Sequence, residues 1–90
     1  MPLQRGDIEG YDFDRMTVRF TMLNQGKVVF CAISTAAMDH LERPNTVKAD
    51  QRLDQFVRLR EVIEERTSRK FFEEQGEGDR PVVLRSNDFG

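Results

Sequence analysis

Cys31 is the only thiol of the chain and His40 the only imidazole, so any cysteine–histidine catalysis would have to use this pair. That chemistry needs an exposed, stabilised thiolate within hydrogen-bond reach of its base. Cys31 instead sits in an apolar run, Val28 to Ile33, where cysteine ordinarily serves as a small buried side chain. His40 falls on the helix that follows, on its solvent side. Asp12 and Asp14 could be pictured as cation ligands, but two carboxylates without a third ligand or a calcium-loop glycine read as a solvated turn. One cysteine, one histidine and scattered carboxylates show no metal-ligand spacing. Gly76 and Gly78, two apart after a helix, lack the context of a phosphate-cradling loop. The expectation is no catalytic residue, no cofactor and no metal, hence not an enzyme.

The other candidates are charges and aromatic rings on one long segment, Val47 to Glu74, which has no glycine or proline and reads as a helix. At 100° per residue, Ala49, Leu53, Phe56, Leu59 and Ile63 form an apolar face. Asp50, Asp54, Glu61, Glu64 and Glu65 lie to one side of it, and Lys48, Arg52, Arg58, Arg66 and Arg69 to the other. Acid and base are thus segregated, apart from i,i+4 pairs such as Asp54 with Arg58. Two such helices packed antiparallel in a symmetric homodimer would set one copy's basic edge against the other's acidic edge. Phe71 and Phe72 near the helix end would cost about 1.5–3 kcal/mol each if left in water, which favours a partner or a fold-back onto the body. The candidate interface is therefore Phe71, Phe72, Arg66 and Arg69, in a non-enzymatic protein–protein module. The alternative is a nucleic-acid-associated regulator using the basic edge, Lys48, Arg52, Arg58, Arg66 and Arg69. A formal net charge of −2 and the adjoining acids weaken that field.

These residues must be positioned by a small body. Ninety residues make one domain, which buries roughly 60–65% of the surface its unfolded chain exposes. No apolar run approaches the roughly 18 residues of a membrane span, the first ten residues lack a signal peptide's apolar region, and a lone cysteine fits a reducing cytosol. The expected location is the cytoplasm. The body is built on a hairpin from Met16 to Ser34. Met16, Val18, Phe20 and Met22 alternate with Thr17, Arg19 and Thr21, the period of a strand buried on one face. Across the Asn24-Gln25-Gly26-Lys27 turn, Val28 to Ile33 is apolar throughout, so only register can decide its buried face. Gln25-Gly26 as a two-residue loop pairs Phe20 with Cys31 and turns Val29, Cys31 and Ile33 inward. A one-residue shift would turn Phe30 and Ala32 inward instead, and the β-branched Val29 and Ile33 favour the first register.

Ser34 can cap a short helix from Thr35 to about Glu42, ended by Arg43-Pro44. Asn45 or Thr46 would cap the long helix. A helix of that length would reach about 40 Å, against about 30 Å for a compact domain of this size. Either it breaks near Thr67-Ser68, two poor helix formers, or its end projects. A connector around Gly76 to Arg80 leads to a strand at Val82 to Arg85, and residues 1–10 make a loose start that can pair as a short edge strand. The resulting class is α+β. It has two layers: an antiparallel sheet of three strands, four if the N-terminus pairs, under one short and one long helix, in the order β-β-α-α-β.

The order VRF at Val18 to Phe20, a glycine turn, CAIS at Cys31 to Ser34, a short helix with Leu41, a long charged helix and a closing Leu84 to Phe89 resembles a bacterial family catalogued as a domain of unknown function, family 1488. The resemblance covers about Tyr11 to Phe89. It implies a small α+β protein whose hairpin precedes two helices and whose last strand returns to the sheet. It implies no catalytic residue, cofactor or substrate.

Overall fold

Val18, Phe20 and Met22 all turn inward and are buried, while Thr17, Arg19, Thr21 and Leu23 face the other way. The computed structural model describes residues 3–42, 47–74 and 80–89. Within them the chain runs β1 (Gln4–Asp12), β2 (Thr17–Asn24), β3 (Lys27–Ser34), α1 (Thr35–Leu41), α2 (Arg52–Glu74) and β4 (Val82–Leu84), with short 3-10 turns at Ala49–Gln51 and Ser86–Phe89. The expected cap at Asn45 or Thr46 and most of the glycine connector lie outside the described residues. β2 and β3 pair in the first register, with Asn24 opposite Lys27, Phe20 opposite Cys31 and Val18 opposite Ile33. Gln25 and Gly26 both take positive φ, 53° and 87°, as a two-residue turn that matches strand twist requires. Met16 is a correction: it lies before the strand at φ 52°, half exposed. Its carbonyl accepts from Thr35 N at 2.9 Å, tying the start of β2 to the start of α1.

The start of the chain is more ordered than its composition suggests. β1 is nine residues long and pairs antiparallel with β2, with register shifts between Arg5 and Ile8 and between Ile8 and Gly10. The first irregularity is chemically satisfied. Asp7 N donates to Thr21 Oγ1 at 2.9 Å, and Arg60 Nη2 on α2 donates to Gly6 O at 3.1 Å. A Cβ on Gly6 would collide with the carbonyl oxygen of Thr21 and lie 2.6 Å from its Oγ1. Gly6→Ala is therefore expected to destabilise the chain by about 1–3 kcal/mol, the range for overpacking. A urea midpoint equal to that of the native chain would contradict the close approach.

The sheet order is β1-β2-β3-β4, and β4 pairs with β3 in parallel, so the expected antiparallel sheet is mixed. The reason is the crossover. α1 and the long α2 carry the chain back to the starting end of β3, as a parallel neighbour requires. Ser34 caps α1 as expected, its Oγ accepting from Ala37 N at 3.1 Å.

α2 passes through Thr67-Ser68 without a break. Both hydroxyls are employed: Thr67 Oγ1 donates to Ile63 O at 2.7 Å, and Ser68 Oγ accepts from Leu3 N at 3.0 Å. A helix of 23 residues is about 35 Å long. The molecule accommodates it because it is elongated, 36 × 25 × 21 Å. The buried face of α2 also differs from the wheel. Phe56 and Ile63 enter the core and Leu59 packs at its margin, but Ala49 and Leu53 are exposed, while Arg52, Gln55, Thr67, Ser68 and Phe71 are buried. The core lies between this face, α1 and the inner side of the sheet. Among the described residues no helix is long and apolar enough to cross a membrane.

Candidate functional site

Cys31 and Asp12 are used structurally. Cys31 is buried in mid-strand, its Sγ donating to Val29 O at 3.5 Å. Burial pushes the thiol up to about 12, against a smaller lowering by a backbone hydrogen bond at Met22. On the order of one molecule in 10⁵ carries the thiolate at neutral pH. Asp12 closes the β1–β2 turn, Oδ1 accepting from Asp14 N at 3.0 Å and Arg15 N at 3.2 Å.

The basic edge of the long helix is largely occupied by the chain's own carboxylates. Arg52 Nη1 lies 2.7 Å from Asp39 Oδ1 and also donates to Gln55 Oε1 at 2.7 Å. Arg58 makes a two-pronged pair with Glu42 at 2.7 and 3.0 Å. Arg66 Nε donates to Asp88 O at 2.6 Å, and its other nitrogens reach Glu73 at 3.4 Å and Asp88 Oδ1 at 3.8 Å. Arg69 lies 3.5 Å from Glu65, one turn back. Lys48 precedes the helix, exposed, its backbone N donating to Gln51 Oε1. Pairing across to α1 and to the C-terminal turn is invisible on a helical wheel, which sees neighbours on one helix only.

Two further cations that sequence reasoning passed over position elements. Lys70 Nζ donates to Val83 O at 2.7 Å and to Asp88 Oδ2 at 3.0 Å, tying α2 to β4. Burial pushes the Asp88 carboxyl up, yet the Arg85 amide, Lys70 and Arg66 outweigh it and hold the group below the usual range. Arg60 spans Glu64, Gly6 O and the face of Phe56, 6.0 Å from that ring's centroid.

Of the candidate interface, Phe71 is a correction. It folds back into the core, 2% exposed, and only Phe72 remains outside at 47%. The two rings meet edge to face at 5.1 Å. Beside this end, Val62, Arg66, Arg69, Asp88 and Phe89 border an open groove of about 470 Å³, floored by both charge signs. Leu53 and Val57, one turn apart, and Val62 and Phe72 are exposed among charged residues.

A continuous apolar surface lies elsewhere, on the side of the sheet turned away from α2. Val28 and Phe30 are 54% and 53% exposed. Leu23 lies directly opposite Val28, and Ala32 lies between Arg19 on β2 and Val83 on β4. A family model described as "Protein of unknown function (DUF1488)" matches residues 5–84. The chain belongs to the DUF1488 family. A crystal structure of a DUF1488-family protein of unknown function from Shewanella loihica PV-4 is similar at 24% identity and a TM-score of 0.68, over 90% of this chain and 92% of that one. At that identity the likeness speaks for the fold. No curated protein matches the chain.

In this DUF1488 protein the signal for the outer surface was present in the sequence. A strand apolar at every position is characteristic of burial on both faces, and one layer of helices can cover only one of them. Register assigned Val29, Cys31 and Ile33 to the inside and so left Val28, Phe30 and Ala32 outside.

Proposed function

We propose that this DUF1488 protein is a non-catalytic interaction module of the cytoplasm, working through protein–protein contacts and first of all with a second copy of itself. The observation that carries this reading is β3, whose apolar run is only half used by the chain's own fold. Leaving Val28 and Phe30 in water forgoes about 1.5–3 kcal/mol for each side chain that a partner could bury. The charged groups support the same reading. Arg52, Arg58, Arg66 and Arg69 already face carboxylates, so of the basic edge only Lys48 is left without an ion pair among the described residues for a phosphate backbone, whose binding depends on such charge.

Light scattering over a dilution series tests the reading. The mass is expected to rise from one chain toward two in the micromolar range. The midpoint is expected to change little between about 0.1 and 0.5 M salt, because apolar burial is not screened as exposed ion pairs are. A one-chain mass at every concentration would refute it.

A further inference from the structure

We infer that the outer face of the sheet is where a second copy packs, sheet against sheet about a two-fold axis; the inference rests on the self-association reading above and names its surface. The apolar side chains there are contiguous rather than scattered. Leu23 and Val28 are directly opposed, Phe30 follows on β3, and Ala32 and Val83 are directly opposed across β3 and β4. On α2, by contrast, only Leu53 and Val57 are neighbours one turn apart, and Val62 and Phe72 lie apart from them among charges.

Charge on this face points to a second copy as the occupant. Arg19 on this face and Asp7, in the β1 irregularity whose amide meets Thr21 Oγ1, are exposed, and neither enters an ion pair among the described residues. Arg19 is paired with Ala32 across β3, and Thr21, next but one on β2, pairs with Phe30 and receives the Asp7 amide. Place the axis between the sheets, at right angles to the strands, midway between the Arg19–Ala32 row and the Thr21–Phe30 row. Each row then overlies the other row of the partner. Phe30 of each copy faces the small Ala32 of the other, large against small. Arg19 of each copy lies over Thr21 of the other and reaches one strand across to Asp7. An isologous interface demands this reciprocity, in which i meets j and j meets i. Sheets laid face to face keep their strands within about 30° of alignment and about 10 Å apart.

The area fits a weak dimer. β1, β2 and β3 run eight or nine residues and β4 only three; with strands about 4.8 Å apart that rise about 3.4 Å per residue, the face is roughly 440 Å². Two such faces remove on the order of 900 Å² from water, the size of a weak, reversible contact.

Sedimentation equilibrium of four full-length variants beside the native chain tests the surface, with a urea midpoint for each to establish folding. Phe30→Asp is expected to weaken the dimer at least about 100-fold, since it buries an unpaired carboxylate at the centre, while Phe72→Asp leaves it intact. Arg19→Glu and Asp7→Arg are each expected to weaken it about fivefold alone and to restore it when mixed. A dimer that survives Phe30→Asp, or is lost in Phe72→Asp, overturns this surface and leaves self-association standing. A native chain that stays monomeric overturns both.

Discussion

Phe56→Ala is expected to lower the free energy of unfolding by about 3–5 kcal/mol, the range for deleting a buried aromatic side chain. Stabilities of small domains are about 5–15 kcal/mol in total, so this one change would remove a large share. Phe56 lies near the N-terminal end of α2, fully buried, with its ring centroid 4.9 Å from that of Phe20 on β2 at a tilt of 49°. It is where helix and sheet meet at the centre of the core. The cavity would be poorly relieved because its walls belong to different layers. Phe20 is held by a strand paired on both sides, and Arg60, over the other part of the ring, is held by Glu64 and Gly6 O. Urea unfolding monitored by circular dichroism measures the effect. A loss below about 1 kcal/mol would mean that the site collapses freely and that the two layers are not coupled through this ring.

The hairpin could be read from sequence because its information is local: period-two alternation fixes one strand, and a two-residue turn fixes the register of its neighbour. The same locality explains why the N-terminal segment reads only as a loose start that can pair as a short edge strand, whereas β1 is nine residues long. It carries Gly6, Gly10, Asp7 and Glu9, all poor strand formers, and forms because Thr21 and Arg60, distant in sequence, satisfy its irregular backbone. The rotation of α2 about its axis was misjudged because a wheel scores polarity, whereas Arg52 and Gln55 are buried by pairing with Asp39. Thr67 and Ser68 read as a break because both are poor helix formers, and each bonds within the packed interior instead. Phe71 and Phe72 are adjacent and alike in composition; only the 100° step between neighbours on a helix separates the buried ring from the exposed one. The outer sheet face was legible in part, as an apolar run too long for a strand buried on one side, yet the long helix drew the interface candidates.

Asp39→Ala is expected to cost about 2–3 kcal/mol at neutral pH and much less in acid. Asp39 Oδ1 accepts from Arg52 Nη1 at 2.7 Å and from Gln55 Nε2 at 3.1 Å, and Oδ2 accepts from Arg52 Nη2 at 3.4 Å. Gln55 is fully buried and the Arg52 side chain is 11% exposed. Alanine would leave a nearly buried cation and a buried amide short of their acceptor. Breaking a fully buried pair costs about 3–5 kcal/mol, but Asp39 itself is partly open to water, which can enter and reduce the loss. The pH dependence has a defined sign. Burial pushes the Asp39 carboxyl up, while hydrogen bonds from Arg52 and Gln55 and the Arg52 charge outweigh it and hold the group below its usual value. The unfolded chain therefore binds this proton more readily than the folded one, and the stabilisation is complete above the unfolded value of about 3.9. It is lost as pH falls through the lower folded value. Urea titrations of the native chain and Asp39→Ala at pH 7 and at about pH 2.5 should show the gap between them narrowing in acid, with Asp39→Asn, which keeps one acceptor, falling between the two at pH 7. A gap independent of pH would show that the carboxylate charge contributes nothing, and no gap at pH 7 would show that Arg52 and Gln55 find their acceptors in water.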